Sequence, residues 1–97
     1  KVIKTMSIEI NTKLFEIRNV GEEFLLVGRN GTKMQSKTVL LNNTAALILE
    51  CINKKMNKKD IVNYLTVRFD KIDAKRIENE VTDIINKMLK SEILLEV

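Results

Sequence analysis

The stretch Leu40-Leu41-Asn42-Asn43-Thr44-Ala45-Ala46-Leu47-Ile48-Leu49-Glu50 runs an apolar strand straight into an asparagine-capped helix, and its reading decides the fold. Val39-Leu40-Leu41 is β-branched or bulky and apolar, as a strand requires. Downstream, Leu41, Ala45, Ile48, Leu49 and Ile52 recur at i, i+4, i+7, i+8 and i+11, which is one face of an α-helix. Between the two, Asn42 or Asn43 can accept a hydrogen bond from the unpaired amides of the first turn. No loop separates strand from helix, so sheet and helical layer share this hinge.

Working outward towards the N-terminus, Leu14–Val20 reads as a strand with Phe15 and Ile17 on one face and Glu16 and Arg18 on the other. Gly21-Glu22-Glu23 is a turn, and Phe24–Val27 is a short apolar run suited to a strand with neighbours on both sides. Gly28-Arg29-Asn30-Gly31 supplies a second hairpin, because Asn-Gly tolerates the positive φ angles of a tight turn. A third strand is expected over Lys33–Leu41. Its polar half, Lys33-Met34-Gln35-Ser36-Lys37-Thr38, suits an edge, where lysines discourage indiscriminate pairing. Residues 1–13 alternate loosely through Val2, Met6, Ile8 and Ile10 and read as an N-terminal arm or extra strand, separate from a domain at 14–97.

Towards the C-terminus the pattern is helical. The first helix covers Asn43 to Ile52 and ends near Asn53, a residue type that tolerates a left-handed cap. Asn57 caps a second helix, with Met56 and Ile61 as a hydrophobic staple and Ile61, Val62, Leu65 and Phe69 as its buried face. Asp73 caps a third, with Ile72 stapled to Ile77 and a stripe of Ile77, Val81, Ile84, Ile85 and Met88. The apolar tail Ile93–Val97 adds a short strand or packs back on the sheet. Three strands followed by three helices make an α+β domain: winged-helix-like, with a three-stranded antiparallel sheet followed by three helices.

Composition narrows the function classes. The 97 residues, 44% apolar and 31% charged, fit one domain with a real core. No apolar run approaches ~20 residues, so no membrane span is expected. No signal peptide is expected either, since residues 1–13 lack an apolar block of about 7–15 residues. The chain therefore reads as cytoplasmic. With no His and the single Cys51, neither a metal centre nor a cofactor site made by the protein is expected. The three glycines lie in turns and form no phosphate loop. Ser7, Ser36 and Ser91 have no His to activate them, so no serine triad can form. The carboxylates Glu22, Glu23, Asp70 and Asp73 fall at loops and caps. No catalytic residue is proposed, and the chain reads as a binding module and not an enzyme.

Net charge is +4, and the run Asn53-Lys54-Lys55-Met56-Asn57-Lys58-Lys59 holds four lysines that equal the whole excess. Such a run is either a solvated turn or a phosphate-contacting patch. A helix-turn-helix reading would place the third helix in a DNA major groove. That helix presents Asp73, Glu78, Glu80 and Asp83 against Lys75, Arg76, Lys87 and Lys90, a neutral surface poorly suited to phosphates. The competing reading uses the third strand, whose open edge can receive an extended peptide as a further strand. A third reading, a structural adaptor, has that edge pair with itself in a homodimer.

Four stretches carry a family resemblance: Phe15–Val27, Leu41–Glu50, Lys59–Leu65 and Val81–Leu89, of which Leu41-Asn42-Asn43-Thr44-Ala45-Ala46-Leu47-Ile48 is the most specific. From about Phe15 to Leu95 the chain resembles the PqqD family, the RiPP precursor-peptide recognition elements. The resemblance implies a non-catalytic chaperone of three strands and three helices. It would capture the leader of a ribosomally made precursor peptide by strand addition and present it to a maturation enzyme. In pyrroloquinoline quinone synthesis that partner is a radical SAM enzyme. Carried over by position, the peptide edge would be Gln35, Ser36, Lys37, Thr38, Val39 and Leu40. The facing groove would draw on Ile77, Glu80, Val81, Ile84 and Lys87. The chain departs from the family at Asn53-Lys54-Lys55, where an Asp-Gly pair often follows the first helix.

Overall fold

The computed structural model describes residues 7–97. Its elements run β1 (Ile8–Ile10), β2 (Phe15–Val20), β3 (Glu23–Gly28), β4 (Thr38–Leu41), α1 (Asn43–Asn53), α2 (Lys58–Arg68), α3 (Ala74–Lys90) and β5 (Leu94–Glu96). Strands β2, β3 and β4 form an antiparallel sheet in that order, and the three helices follow it in sequence. Strands β1 and β5 make a separate antiparallel ribbon that brings the two ends of the chain together, with Ile8 opposite Glu96 and Ile10 opposite Leu94. Val2 and Met6, the first members of the alternation read in the arm, lie outside the described residues.

The pairing register explains which strand faces the core. Phe15 and Ile17 oppose Gly28 and Leu26, and Leu26 in turn opposes Val39. These residues share one face of the sheet, because directly opposed side chains point the same way. Leu26 is fully buried and Phe15 nearly so, and both pack with Ile48, Leu49, Ile61, Leu65, Val81 and Leu94 in one core. The apolar content of β3, read as a strand with two neighbours, follows from its central place.

Each helix begins on a side-chain cap. Asn42, and not Asn43, accepts the Ala45 amide at 2.8 Å. Asn57 accepts the Asp60 amide at 2.8 Å, while Asp73 reaches the Lys75 amide at a longer 3.4 Å. Such a cap stabilises a helix by about 1 kcal/mol. The stripe on α3 is mostly core, with Ile77, Val81, Ile85 and Met88 buried. The left-handed residue after α1 is Lys55, with φ of 67°, and not Asn53. Glycine is the residue that adopts this conformation without penalty.

The third strand is shorter than expected. It starts at Thr38, and residues 33–36 are turns. Successive i→i+3 bonds curl the connection, with the amides of Thr32, Gln35 and Lys37 donating to the carbonyls of Arg29, Thr32 and Met34. The curl closes against Gly28, where an added Cβ would lie 1.5 Å from the Met34 carbonyl oxygen. Gly28 therefore permits the chain to fold over the end of β3. Asn30-Gly31 contributes one positive φ, at Gly31, within a longer connection and not a two-residue hairpin turn.

Candidate functional site

Among the described residues, strand β4 has β3 on one side only, and the hydrogen-bond pattern shows what its other side offers. The Gly28 amide donates to the Lys37 carbonyl at 2.8 Å, which makes Lys37 and Gly28 a hydrogen-bonded pair. In an antiparallel ladder such pairs alternate, so Val39 and Leu41 also direct their backbone groups to β3. Thr38 and Leu40 then point their amides and carbonyls away from the sheet. The open edge spans four residues, about 13 Å.

The side chains along this edge divide by face. Val39 and Leu41 are half-buried against the core, whereas Thr38 and Leu40 lie on the outer face and Leu40 is 61% exposed. Exposure of that size on a strand leucine leaves apolar surface open to a neighbour. Three residues beyond the end of β4, Thr44 of α1 forms the rim of a small apolar cleft. Leu65 and Phe69 of α2, Ile72 of the following turn, and Ile77, Glu80 and Val81 of α3 complete it. The cleft holds about 60 Å³. A cavity of about 150 Å³ accepts benzene, so this one suits a single small aliphatic group and no cofactor.

The residues named from sequence sort as follows. Thr38, Val39 and Leu40 lie in β4, and Thr38 and Leu40 carry its open backbone groups. Gln35 and Ser36 are not on the edge: both are exposed in the connection, where the Gln35 side-chain oxygen accepts the Gly31 amide at 2.7 Å. Lys37 is exposed, with its amide turned in towards Met34 and its carbonyl bonded to Gly28. Ile77, Glu80 and Val81 come together in the cleft; the first and last are also core, and Glu80 is exposed at its mouth. Ile84 is half-buried, packed against the core. Lys87 is exposed near the helix end, where its carbonyl accepts the Ser91 amide and hydroxyl.

Sequence reasoning assigned the other walls of the cleft to core or capping. Leu65 and Phe69 were on the buried face of α2 and Ile72 was a staple partner of Ile77. That staple was the available signal, because it ties the turn before α3 to the same spot.

The connection that delivers β4 is held at both flanks. Arg29 donates from Nε to the Thr12 carbonyl at 2.6 Å, and Lys33 Nζ lies 2.8 Å from Glu92 Oε1. The buried Asn11 donates to the Glu92 carbonyl at 2.9 Å, joining this corner to the β1–β5 ribbon.

Other chemistry is sparse among the described residues. No group of three or more His, Cys, Asp or Glu is placed to hold a metal ion. Burial pushes the Cys51 thiol above its ordinary range, partly opposed by Lys54, so it is neutral and enclosed. No helix among these residues is long and apolar enough to cross a membrane. The exposed face of α3 mixes Glu78, Glu80 and Asp83 with Lys75, Arg76 and Lys87, and Lys75 pairs with Glu78 at 3.7 Å. Nothing there favours a DNA phosphate backbone.

With this geometry in place, residues 23–94 match the family described as coenzyme PQQ synthesis protein D (PqqD). The chain belongs to the PqqD family. The match takes in β3, β4, all three helices and the start of β5, and so spans the open edge and the cleft together. Two solved structures have a similar fold. TbiB1, in complex with the TbiA(beta) leader peptide, is 14% identical with a TM-score of 0.75, covering 89% of this chain and 93% of that one. Lasso peptide synthetase B1, complexed with the leader peptide, is 15% identical with a TM-score of 0.78, covering 92% and 98%. No curated protein sequence matches the chain.

Proposed function

We propose that this PqqD-family domain is a non-catalytic module that captures the leader segment of a ribosomally made precursor peptide and presents it to a modifying enzyme. The leader adds to β4 as an extra strand. The observation that carries this reading is the open edge at Thr38 and Leu40, on a strand that runs directly into α1, whose Thr44 lines an apolar cleft with α2 and α3. Both similar structures are complexes with leader peptides, which supports the same use of the fold here.

Backbone bonding to Thr38 and Leu40 gives affinity without side-chain identity. Selectivity then comes from alternate side chains of the added strand. Those on the Val39 face meet the helical layer around Glu80, Val81 and Ile84, and those on the other face meet Leu40. Lys37 and Lys87 are both exposed and suit carboxylates of the peptide. The modifying enzyme acts on the part of the precursor beyond the leader, so the domain needs no catalytic group of its own.

The test is titration of the chain with the labelled leader segment of a candidate precursor peptide. Saturable binding that Leu40→Pro weakens supports the reading, because that substitution removes an outward donor while leaving the bonds to β3. Binding that Leu40→Pro and Thr38→Pro both leave intact would overturn the assignment to β4.

A further inference from the structure

The lysine-rich turn plays no part in the peptide edge. Helix α1 separates the two: its 11 residues give about 16 Å between the end of β4 and the turn at Lys54. The turn breaks two local rules. Lys58 and Lys59 occupy the first positions of α2, at the positive end of the helix dipole, where acidic residues are preferred. Lys55 holds a left-handed backbone conformation that a glycine would adopt without strain. Positions that break local rules are where functional or strained sites are expected.

Beneath the turn lies a hollow of about 210 Å³. Its floor is apolar, made by Ile8 of β1, Ile52 of α1, Ile61 of α2 and Ile85 of α3, with Met56 at the side. Lys55 and Lys58 stand at its rim, and Lys54 and Lys59 flank it, all four exposed. The nearby carboxylates are few. Glu9 meets Lys55 at 3.4 Å in an exposed pair, Asp60 lies in the first turn of α2, and Glu78 lines a groove next to Lys58 and Lys59. An exposed pair such as Glu9–Lys55 contributes at most about 1 kcal/mol and opens readily.

We infer that this turn and hollow form a second docking surface, for an acidic segment of a partner protein that inserts one large apolar side chain between the lysines. Charge complementarity selects the occupant, since the four lysines equal the chain's whole net charge of +4. Nucleic acid would use the lysines but leave the apolar floor empty. The surface is independent of the β4 edge, so both can be filled at once. A buried apolar anchor ringed by charge is the usual form of a compact protein interface.

The experiment uses a fluorescein-labelled synthetic peptide with one Phe between flanking glutamates, followed by anisotropy against the full chain. Binding is expected at low salt and weakens at high salt. Replacing the peptide's Phe by Ser, or the chain's Lys55 and Lys58 together by Glu, should weaken it by about tenfold. Lys58→Glu alone should lower binding while leaving the melting temperature equal or higher, because it improves the helix dipole. Backbone amide shifts should fall on residues 52–61 and spare β4. Four results would overturn the inference: no binding, binding indifferent to the Phe, shifts centred on β4, or tighter binding of a DNA duplex or an anionic vesicle at the same salt. An absence of binding at the turn leaves leader capture at β4 untouched.

Discussion

The three-stranded sheet has two open edges, and they are built differently. On β2 the outward amides belong to Ile17 and Asn19, and the strand carries Glu16 and Arg18, which pair at 3.5 Å. On β4 the outward amides belong to Thr38 and Leu40, the strand holds no charged residue, and Leu40 is exposed. Charges on an edge discourage a further strand, and β2 has them where β4 does not. The second difference is position. Strand β4 runs directly into α1, whose Thr44 rims the cleft with Glu80 and Val81, whereas β2 begins at a loop from β1. An open edge is therefore not a site by itself; in the proposed mode of binding, the apolar layer that follows β4 selects that edge.

The largest effect that would break this comparison is at Gly28, which shapes β4 and not β2. Gly28→Ala forces a Cβ into the Met34 carbonyl and should destabilise the fold by about 2–3 kcal/mol in urea denaturation, with leader affinity lost in parallel. Next come matched proline substitutions. Leu40→Pro or Thr38→Pro should weaken leader binding about tenfold by removing an outward donor, whereas Ile17→Pro on β2 should leave the affinity unchanged by calorimetry. Val39→Pro sharpens the point, since its amide belongs to the pair with Leu26 and its loss should lower the melting temperature without any ligand.

Smaller effects separate support from contact. Lys55→Gly relieves a left-handed lysine and should raise stability by roughly 0.5–1 kcal/mol with no change in leader affinity. Lys33→Ala removes the pair with Glu92 that steadies the connection into β4. It should shift stability by less than about 1 kcal/mol, because the pair is exposed.

Much of this was legible from the junction outward. Strand β4, an asparagine cap at Asn42 or Asn43, α1 and the three-strand, three-helix order followed from alternation and capping residues. The extent of β4 did not, because Lys33-Met34-Gln35-Ser36 has the polar alternation of an edge strand. What curls it is a close approach of Met34 to Gly28, a contact between residues whose sequence pattern carries no sign of it. The site was half legible for the same reason. Thr38, Val39 and Leu40 hold their place on β4, and Ile77, Glu80 and Val81 share a cleft, but Gln35 and Ser36 are taken up in the turn. Residues such as Leu65 and Phe69 read as core because periodicity reports a buried face and cannot tell core from cleft wall.

Leader capture as proposed uses one edge of the sheet, and amide hydrogen exchange tests that edge directly. Exchange would be followed by NMR on the chain with and without its leader peptide. Binding at β4 predicts that the Thr38 and Leu40 amides become protected while those of Ile17 and Asn19 continue to exchange as before. Protection at Ile17 and Asn19, with Thr38 and Leu40 unchanged, would contradict it.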